Sequence, residues 1–441
     1  MRDERLNILT WHVHGTYLNN LCQVPHNWYL PVKPGRPAGY GGRGATFDWP
    51  DYVREVPAEE VKNLRLDLVL YQSVANYTED QYEILSPAQR ELPRIYLEHN
   101  VPRPHAVATQ HPVDDPGALL VHVTHYNRLM WDAGRTPTAI IEHGVRVPEG
   151  ARYTGELERG VVVVNGMQNR PRITGHDLVL HLRGRVPFDL IGMQTEELGG
   201  LGDIPHRELH AIEAHYRFFW HPIRYTSLAL AMLEAMMLGM PVLCFAVTEH
   251  PRVIQDGVTG FISCSVEELV ERMRALLRDP GLAAEVGRRG RQVAEERYNM
   301  RRFVRDWDAV LRSVAGTPHA VFTVAPGAAP DTLISLAGDQ YPPSGQYSIP
   351  QAPRSTGDSS VCRAGAPLPF PRRGGIGPQD RGLPGKETAN EPCRRAEANP
   401  VPPRRGNGRG GHPPAWADVW LGSCQSPSCQ VSPLQAPEVA G

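Results

Sequence analysis

Apolar residues in this chain gather in short blocks separated by polar and turn-forming stretches. Leu6–Trp11, Asn27–Val32, Asp67–Tyr71, Arg94–Leu97, Ala118–Thr124 and Thr138–Glu142 are blocks of strand length with little alternation. That is the pattern of strands covered on both faces, as in a parallel sheet. The stretches between them are long enough for helical crossovers, so six strands predict a doubly wound α/β domain over residues 1–150. Pro148–Gly155 reads as a linker. The block pattern then resumes at Gly160–Asn165, Pro187–Met193, Arg217–Trp220 and Pro241–Phe245, predicting a second such domain over 151–315. Helices are expected at His206–Tyr216, at 226–238, and at Val266–Leu277, where Val266, Leu269, Val270, Met273, Leu276 and Leu277 recur at helical spacing. Two more are expected at Leu282–Val286 and Val293–Val310.

The 226–238 helix breaks the usual amphipathic rule. Leu228, Leu230, Met232, Leu233, Met236, Met237 and Leu238 leave no polar face, so the helix is buried all round. Thr226 or Ser227 is expected to cap it, Gly239 to end it in the left-handed conformation, and Pro241 to prevent continuation. Glu234 is its single charge. A buried carboxylate must be paired or must hold a ligand. Two readings follow: an ion pair with an arginine, or a carboxylate that accepts two ribose hydroxyls. The free N–H groups at the same helix start, near Ser227 and Leu228, suit a phosphate.

These residues carry a resemblance. Glu234-Ala235-Met236 and Gly239-Met240-Pro241-Val242 resemble the donor-binding core of retaining GT-B glycosyltransferases of the family 4, or group 1, class. Asp203–Leu209 resembles that family's entry to the preceding helix, and Asp256–Phe261 its Asp-Gly-x-Thr-Gly turn and strand. Thr226 stands where the family has a first Glu that contacts the sugar. Glu142-His143-Gly144-Val145 resembles the end of the family's first domain, with His143 in an Asn position. The resemblance covers about residues 5–315 and implies a GT-B architecture, two Rossmann-like domains facing a cleft, with the last helix, Val304–Val314, crossing back to the first domain.

The resemblance also implies roles. Glu234 would hold the ribose. Ser227 and Leu228, with Arg170 and Arg172, would hold the diphosphate. Thr174 replaces the family's phosphate-binding Lys before Gly175. Gly15, in the turn after the first strand, would face acceptor and donor phosphate, and His99 would reach the transferring sugar; residue chemistry alone leaves His99 equally open as a turn histidine, and the two arginines as surface groups. The implied reaction moves a hexose-type sugar from a nucleotide-diphosphate donor to a hydroxyl acceptor, a glycan or lipid-linked glycan, with retention. It implies no cofactor and no metal. A nucleotide-sugar epimerase or hydrolase of the same fold, or a non-catalytic nucleotide-binding protein, remains the alternative.

Composition narrows this picture only at its margins. The formal charge of -2 over 441 residues gives no nucleic-acid signature. No apolar run is long enough to span a membrane, which leaves room only for peripheral membrane contact. Seven cysteines at irregular spacing suggest reduced thiols and a cytoplasmic setting. His12 and His14 lack a third metal ligand at a recognisable spacing, and Cys424 and Cys429 lack zinc spacing. The stretch 316–441 holds half of the 42 prolines and is expected to be disordered. Oligomeric state is not legible.

Overall fold

Alternate residues along the first sheet's strands pack into two different core layers, one on each face. The computed structural model describes residues 5–316; the expected disordered tail, with Cys424 and Cys429, lies outside the described residues. The strands are β1 (Asn7–Thr10), β2 (Asn27–Val32), β3 (Val53–Pro57), β4 (Leu68–Tyr71), β5 (Arg94–Glu98), β6 (Ala118–His122) and β7 (Thr138–Ile140). They run parallel in the order β3-β2-β1-β4-β5-β6-β7. Ile8, Leu70 and Leu97 face one layer, while Leu9, Tyr71 and Tyr96 face the other. This is the period of two that an extended backbone imposes.

The second sheet holds β8 (Leu157–Val163), β9 (Phe188–Ile191), β10 (Tyr216–His221), β11 (Val242–Phe245) and β12 (Phe261–Ser263). Its order is β12-β11-β10-β8-β9, again all parallel. The helices that matter below are α1 (Gly15–Leu21), α2 (His125–Met130), α3 (His176–Leu182), α4 (His206–Glu213), α5 (Leu230–Leu238), α6 (Val266–Arg278), α7 (Pro280–Arg297) and α8 (Met300–Ala315). The α/β architecture with two doubly wound sheets is as expected.

Three local expectations need correction. The first sheet has a seventh strand, β3, whose sequence Val-Arg-Glu-Val-Pro hides it: as an edge strand it buries only part of its length and tolerates a closing proline. Thr226 and Ser227 do not cap α5. That helix starts at Leu230, with Ala229 in the cap position and no side-chain cap bond, and it ends at Gly239 with φ 94°. Finally, α7 runs unbroken from 280 to 297. Its glycines are packing positions: a Cβ on Gly287 would lie 2.0 Å from the Gly239 carbonyl oxygen. The break comes at Asn299, whose side chain caps α8 by accepting from the Arg302 amide.

Helix α8 buries Phe303, Trp307, Val310, Leu311 and Val314 in the core of the first sheet, although it follows the second in sequence. It thus ties the two sheets together, as the GT-B resemblance implies. Beside it, the Arg297 Nε donates to both Glu142 carboxylate oxygens at 3.0 and 3.1 Å. The Tyr126 amide, at the start of α2, donates to Glu249 Oε2 at 2.8 Å. Both bonds join residues of one sheet's half to the other's. Among the described residues no helix is long and apolar enough to cross a membrane.

Candidate functional site

In an open parallel sheet, ligands bind at the carboxyl ends of the strands where the strand order reverses. The first sheet reverses between β1 and β4, the second between β8 and β10. The residues following these strands are therefore where chemistry is expected.

On the first side, the turn after β1 carries His14 and Gly15, β4 is followed by Gln72, β5 by His99, and β7 is followed closely by His143. The imidazoles of His14 and His99 lie 4.4 Å apart, and the Tyr17 ring is 4.6 Å from His99 and 5.6 Å from His143. Gln72 fixes this arrangement: its amide donates to Thr10 Oγ1 and the Trp11 carbonyl, and its Oε1 lies 3.1 Å from His99 Nε2. Burial depresses all three histidines, His14 and His143 to about 4 and His99 well below the usual imidazole value. All three are neutral at pH 7 and can donate and accept hydrogen bonds without carrying charge. His12 stands apart from them. It anchors the glycine-rich loop 34–43 through the Gly42 carbonyl and the Gly39 carbonyl. Gly15 leaves little room: a Cβ there would lie 3.0 Å from Phe47 and 3.2 Å from His12.

On the second side, the two candidate arginines part company. Arg172 is 80% exposed and pairs with Asp177 at 2.7 Å. Arg224 grips the same carboxylate with two bonds, so Arg172 belongs to a surface ion cluster. Arg170 is different. Burial, then the charge of Arg103, pulls it down to about 10, which places two guanidinium groups in one neighbourhood. Arg103 comes from the loop after β5, and that loop is held by a bond from the Tyr225 hydroxyl to the Pro102 carbonyl at 3.0 Å. Tyr225 directly precedes Thr226, Ser227 and Leu228. Sequence reasoning missed Arg103; a lone arginine in a loop carries no signal until the fold sets it beside Arg170.

Thr174 cannot replace a phosphate-binding lysine. Its hydroxyl is buried and donates to the Met167 and Arg170 carbonyls at 2.6 and 2.8 Å, bracing the turn that carries Arg170. Thr226 is half-buried in the loop between β10 and α5. Ser227 is buried, and its hydroxyl meets no hydrogen-bonding partner among the described residues. Leu228 is buried too, with its backbone against His143 of the first side. A buried hydroxyl with no partner is costly unless a ligand supplies one.

Glu234 is buried and has no arginine partner among the described residues. His206 Nε2 lies 3.2 Å from one carboxylate oxygen and His210 Nε2 3.6 Å from the other. Burial raises its pKa, but the two imidazoles outweigh that and hold it at about 2, so it is ionised. Glu213, one turn beyond His210, is pushed well up by burial and by the Glu234 charge. Glu234 opens into a cavity of about 350 Å³. Thr16, Asn19 and Asn20 of α1 line it from the first side, with the loop Ala45–Asp48, and His206, Arg207 and His210 line it from the second. Phe47 stands 5.4 Å from the His206 ring across it. Helix α1 therefore serves both places: Tyr17 packs on the histidine cluster, while its neighbours face Glu234.

Residues 195–293 match the family model described as Glycosyl transferases group 1. The match spans α4 to most of α7 and includes His206, Ser227 and Glu234. Over that segment the chain is similar to the group 1 glycosyltransferases. Around it, the fold is similar to that of a sucrose-phosphate synthase from Thermosynechococcus elongatus, with a TM-score of 0.53 at 15% identity over 71% of this chain and 100% of that one. It is similar also to HepE of Anabaena in complex with UDP-glucose, with a TM-score of 0.52 at 13% identity over 70% of this chain and 100% of that one. The architecture is GT-B. Within it, the matched segment contributes the ionised carboxylate and a hydroxyl that is unpartnered among the described residues, while the first sheet contributes neutral imidazoles.

Proposed function

We propose that this protein moves a hexose from a nucleoside diphosphate sugar to a hydroxyl acceptor with retention, in the assembly of a cell-surface polysaccharide or glycoconjugate. The observation that carries this reading is the ionised Glu234 facing a cavity lined from both sheets, within the group 1 segment. A cavity of about 350 Å³ accommodates a nucleoside, and a carboxylate there can accept both ribose hydroxyls. HepE of Anabaena is described in complex with UDP-glucose, which makes a uridine nucleotide the first donor to test. The diphosphate would lie toward Ser227, Leu228 and Arg170, where positive charge offsets the negative charge that develops on the leaving group. His99, neutral, would hydrogen-bond the sugar from the opposite side. No cofactor takes part in this scheme, and no metal is needed where arginine neutralises the diphosphate.

A second reading, a nucleotide-binding protein without transfer activity, is favoured by two positions: Thr226 in place of the first motif Glu, and Thr174 with its hydroxyl used inside its own turn. Incubation with a panel of nucleotide sugars, with and without glycan and lipid-linked acceptors, separates the readings by mass detection of free nucleoside diphosphate. The proposal expects acceptor-dependent release that persists in excess EDTA. Release without acceptor would select a hydrolase, and binding without release the non-catalytic protein.

A further inference from the structure

Helix α4 presents His206 and His210 four residues apart, so both imidazoles leave the same face. Helix α5 brings Glu234 to meet them. His206 Nε2 and His210 Nε2 lie 3.2 and 3.6 Å from separate oxygens of that carboxylate. One potential ligand atom from each of the three residues lies within 4.8 Å of the others. For a tetrahedral ion with bonds of about 2.0–2.1 Å, neighbouring ligand atoms stand about 3.3 Å apart. The two imidazole-to-carboxylate distances are of that order but run to different oxygens, so the carboxylate must turn to present one oxygen to both imidazoles. The separation between the two imidazoles must contract as well, and His206, at 24% side-chain exposure, has room to turn.

The polar groups around this cluster also call for a ligand. His210 is 1% exposed; its Nε2 faces Glu234 at 3.6 Å and its Nδ1 has no hydrogen-bonding partner among the described residues. Both oxygens of buried Glu213 are likewise without one. The ionised carboxylate of Glu234, buried beside two imidazoles, is a charge that a cation offsets, whereas left unliganded it bears a desolvation cost. Two imidazoles and a carboxylate suit zinc among the divalent ions, and three protein ligands leave a fourth position facing the cavity.

We propose that His206, His210 and Glu234 form a binding site for a divalent transition-metal ion of the zinc class. Each imidazole would bind the ion in its neutral form through the Nε2 lone pair, with its one ring proton on Nδ1. The ion is not part of the transfer reaction. It takes the carboxylate that the proposed function gives to ribose, so metal and nucleotide exclude each other; that consequence, unlike the site itself, rests on the proposed function.

The test is calorimetric titration of the full-length, metal-stripped protein with zinc chloride, and of the His210→Ala and His206→Gln variants. Cobalt chloride absorption provides a second readout. The parent should take up one ion per chain that both variants lose, with affinity lowered more than about a hundredfold, since losing a ligand costs at least as much as losing its outer-shell support. A d–d band typical of low coordination should appear for the parent alone. His206→Gln keeps the test decisive if His210→Ala fails to fold, because His206 is partly exposed. Equal zinc uptake by the parent and a folded variant would place the ion on other histidines or cysteines and overturn the site. Tight zinc binding with unchanged UDP affinity would leave the site standing and count against the ribose contact.

Discussion

The first sheet sends His14, His99 and His143 to its strand ends, all depressed by burial and neutral. The second sends Arg170, an unpartnered Ser227 hydroxyl and ionised Glu234. Both sheets are parallel and carry these groups on the turns and helices that follow their strands. The backbone geometry is shared, so the difference lies in what each side is asked to hold. A sugar is neutral and is recognised through hydrogen bonds that change little with pH. A nucleoside diphosphate carries charge, and its ribose offers paired donors to a carboxylate. Under the proposed function, one scaffold furnished twice would divide a sugar nucleotide into its neutral and charged parts.

Arg170 and Arg172 break or sharpen this comparison most strongly. They are two residues apart, yet one is held beside Arg103 and the other is spent on Asp177. Arg170→Met should lower acceptor-dependent turnover by on the order of a hundredfold, the scale for losing electrostatic stabilisation of a developing charge. Arg172→Met should stay within about twofold, as exposed ion pairs are worth little. Steady-state kinetics of the two variants decides it; equal losses would remove the distinction between them.

The neutral side predicts a particular acid sensitivity. A histidine whose folded pKa lies below its unfolded value of about 6.5 binds fewer protons folded than unfolded in the interval between them. Its contribution is fully present above about pH 6.5 and is lost as pH falls toward about 4, the folded value of His14 and His143. His122, pushed down to about 3 by burial, adds to the same window. The melting temperature should therefore be flat from pH 7 to 8 and fall by about 5 °C or more by pH 5, each unit of depression being worth about 1.4 kcal/mol. His122→Gln, remote in role from the proposed sugar contact, should shallow that slope. A profile unchanged between pH 7 and pH 5 would contradict the neutral cluster.

The smallest effect is expected from the sequence beyond 316. Its composition offers no apolar periodicity, and α8 already closes the first core with Leu311 and Val314. A chain ending at 316 should match the full chain in melting temperature within about 2 °C; a larger fall, seen by scanning calorimetry, would show that the remainder contributes to the core.

Much of this was legible before any coordinates. The buried strand blocks, the fully apolar helix and its glycine end followed from hydrophobic patterning, because a strand covered on both faces has little choice of residue. The short edge strand β3 escaped because an edge tolerates polar residues and proline. Glu234 stood out as one charge in an apolar helix, but its partners did not, since His206 and His210 lie on another helix and only packing brings them within 3.6 Å. An H-x3-H pair on the predicted helix 206–216 was the available signal. Arg170 and Arg172 were indistinguishable in sequence because local spacing does not say which side of a turn faces solvent.

The account rests on the division of labour between the two sides, and UDP binding to two variants tests it most directly. Calorimetry should show that Glu234→Gln weakens UDP by about tenfold or more, the usual loss for hydrogen bonds to a charged group. His99→Gln should bind UDP as the parent does while its sugar transfer falls. UDP binding lost equally in both variants, or kept in Glu234→Gln, would contradict the account.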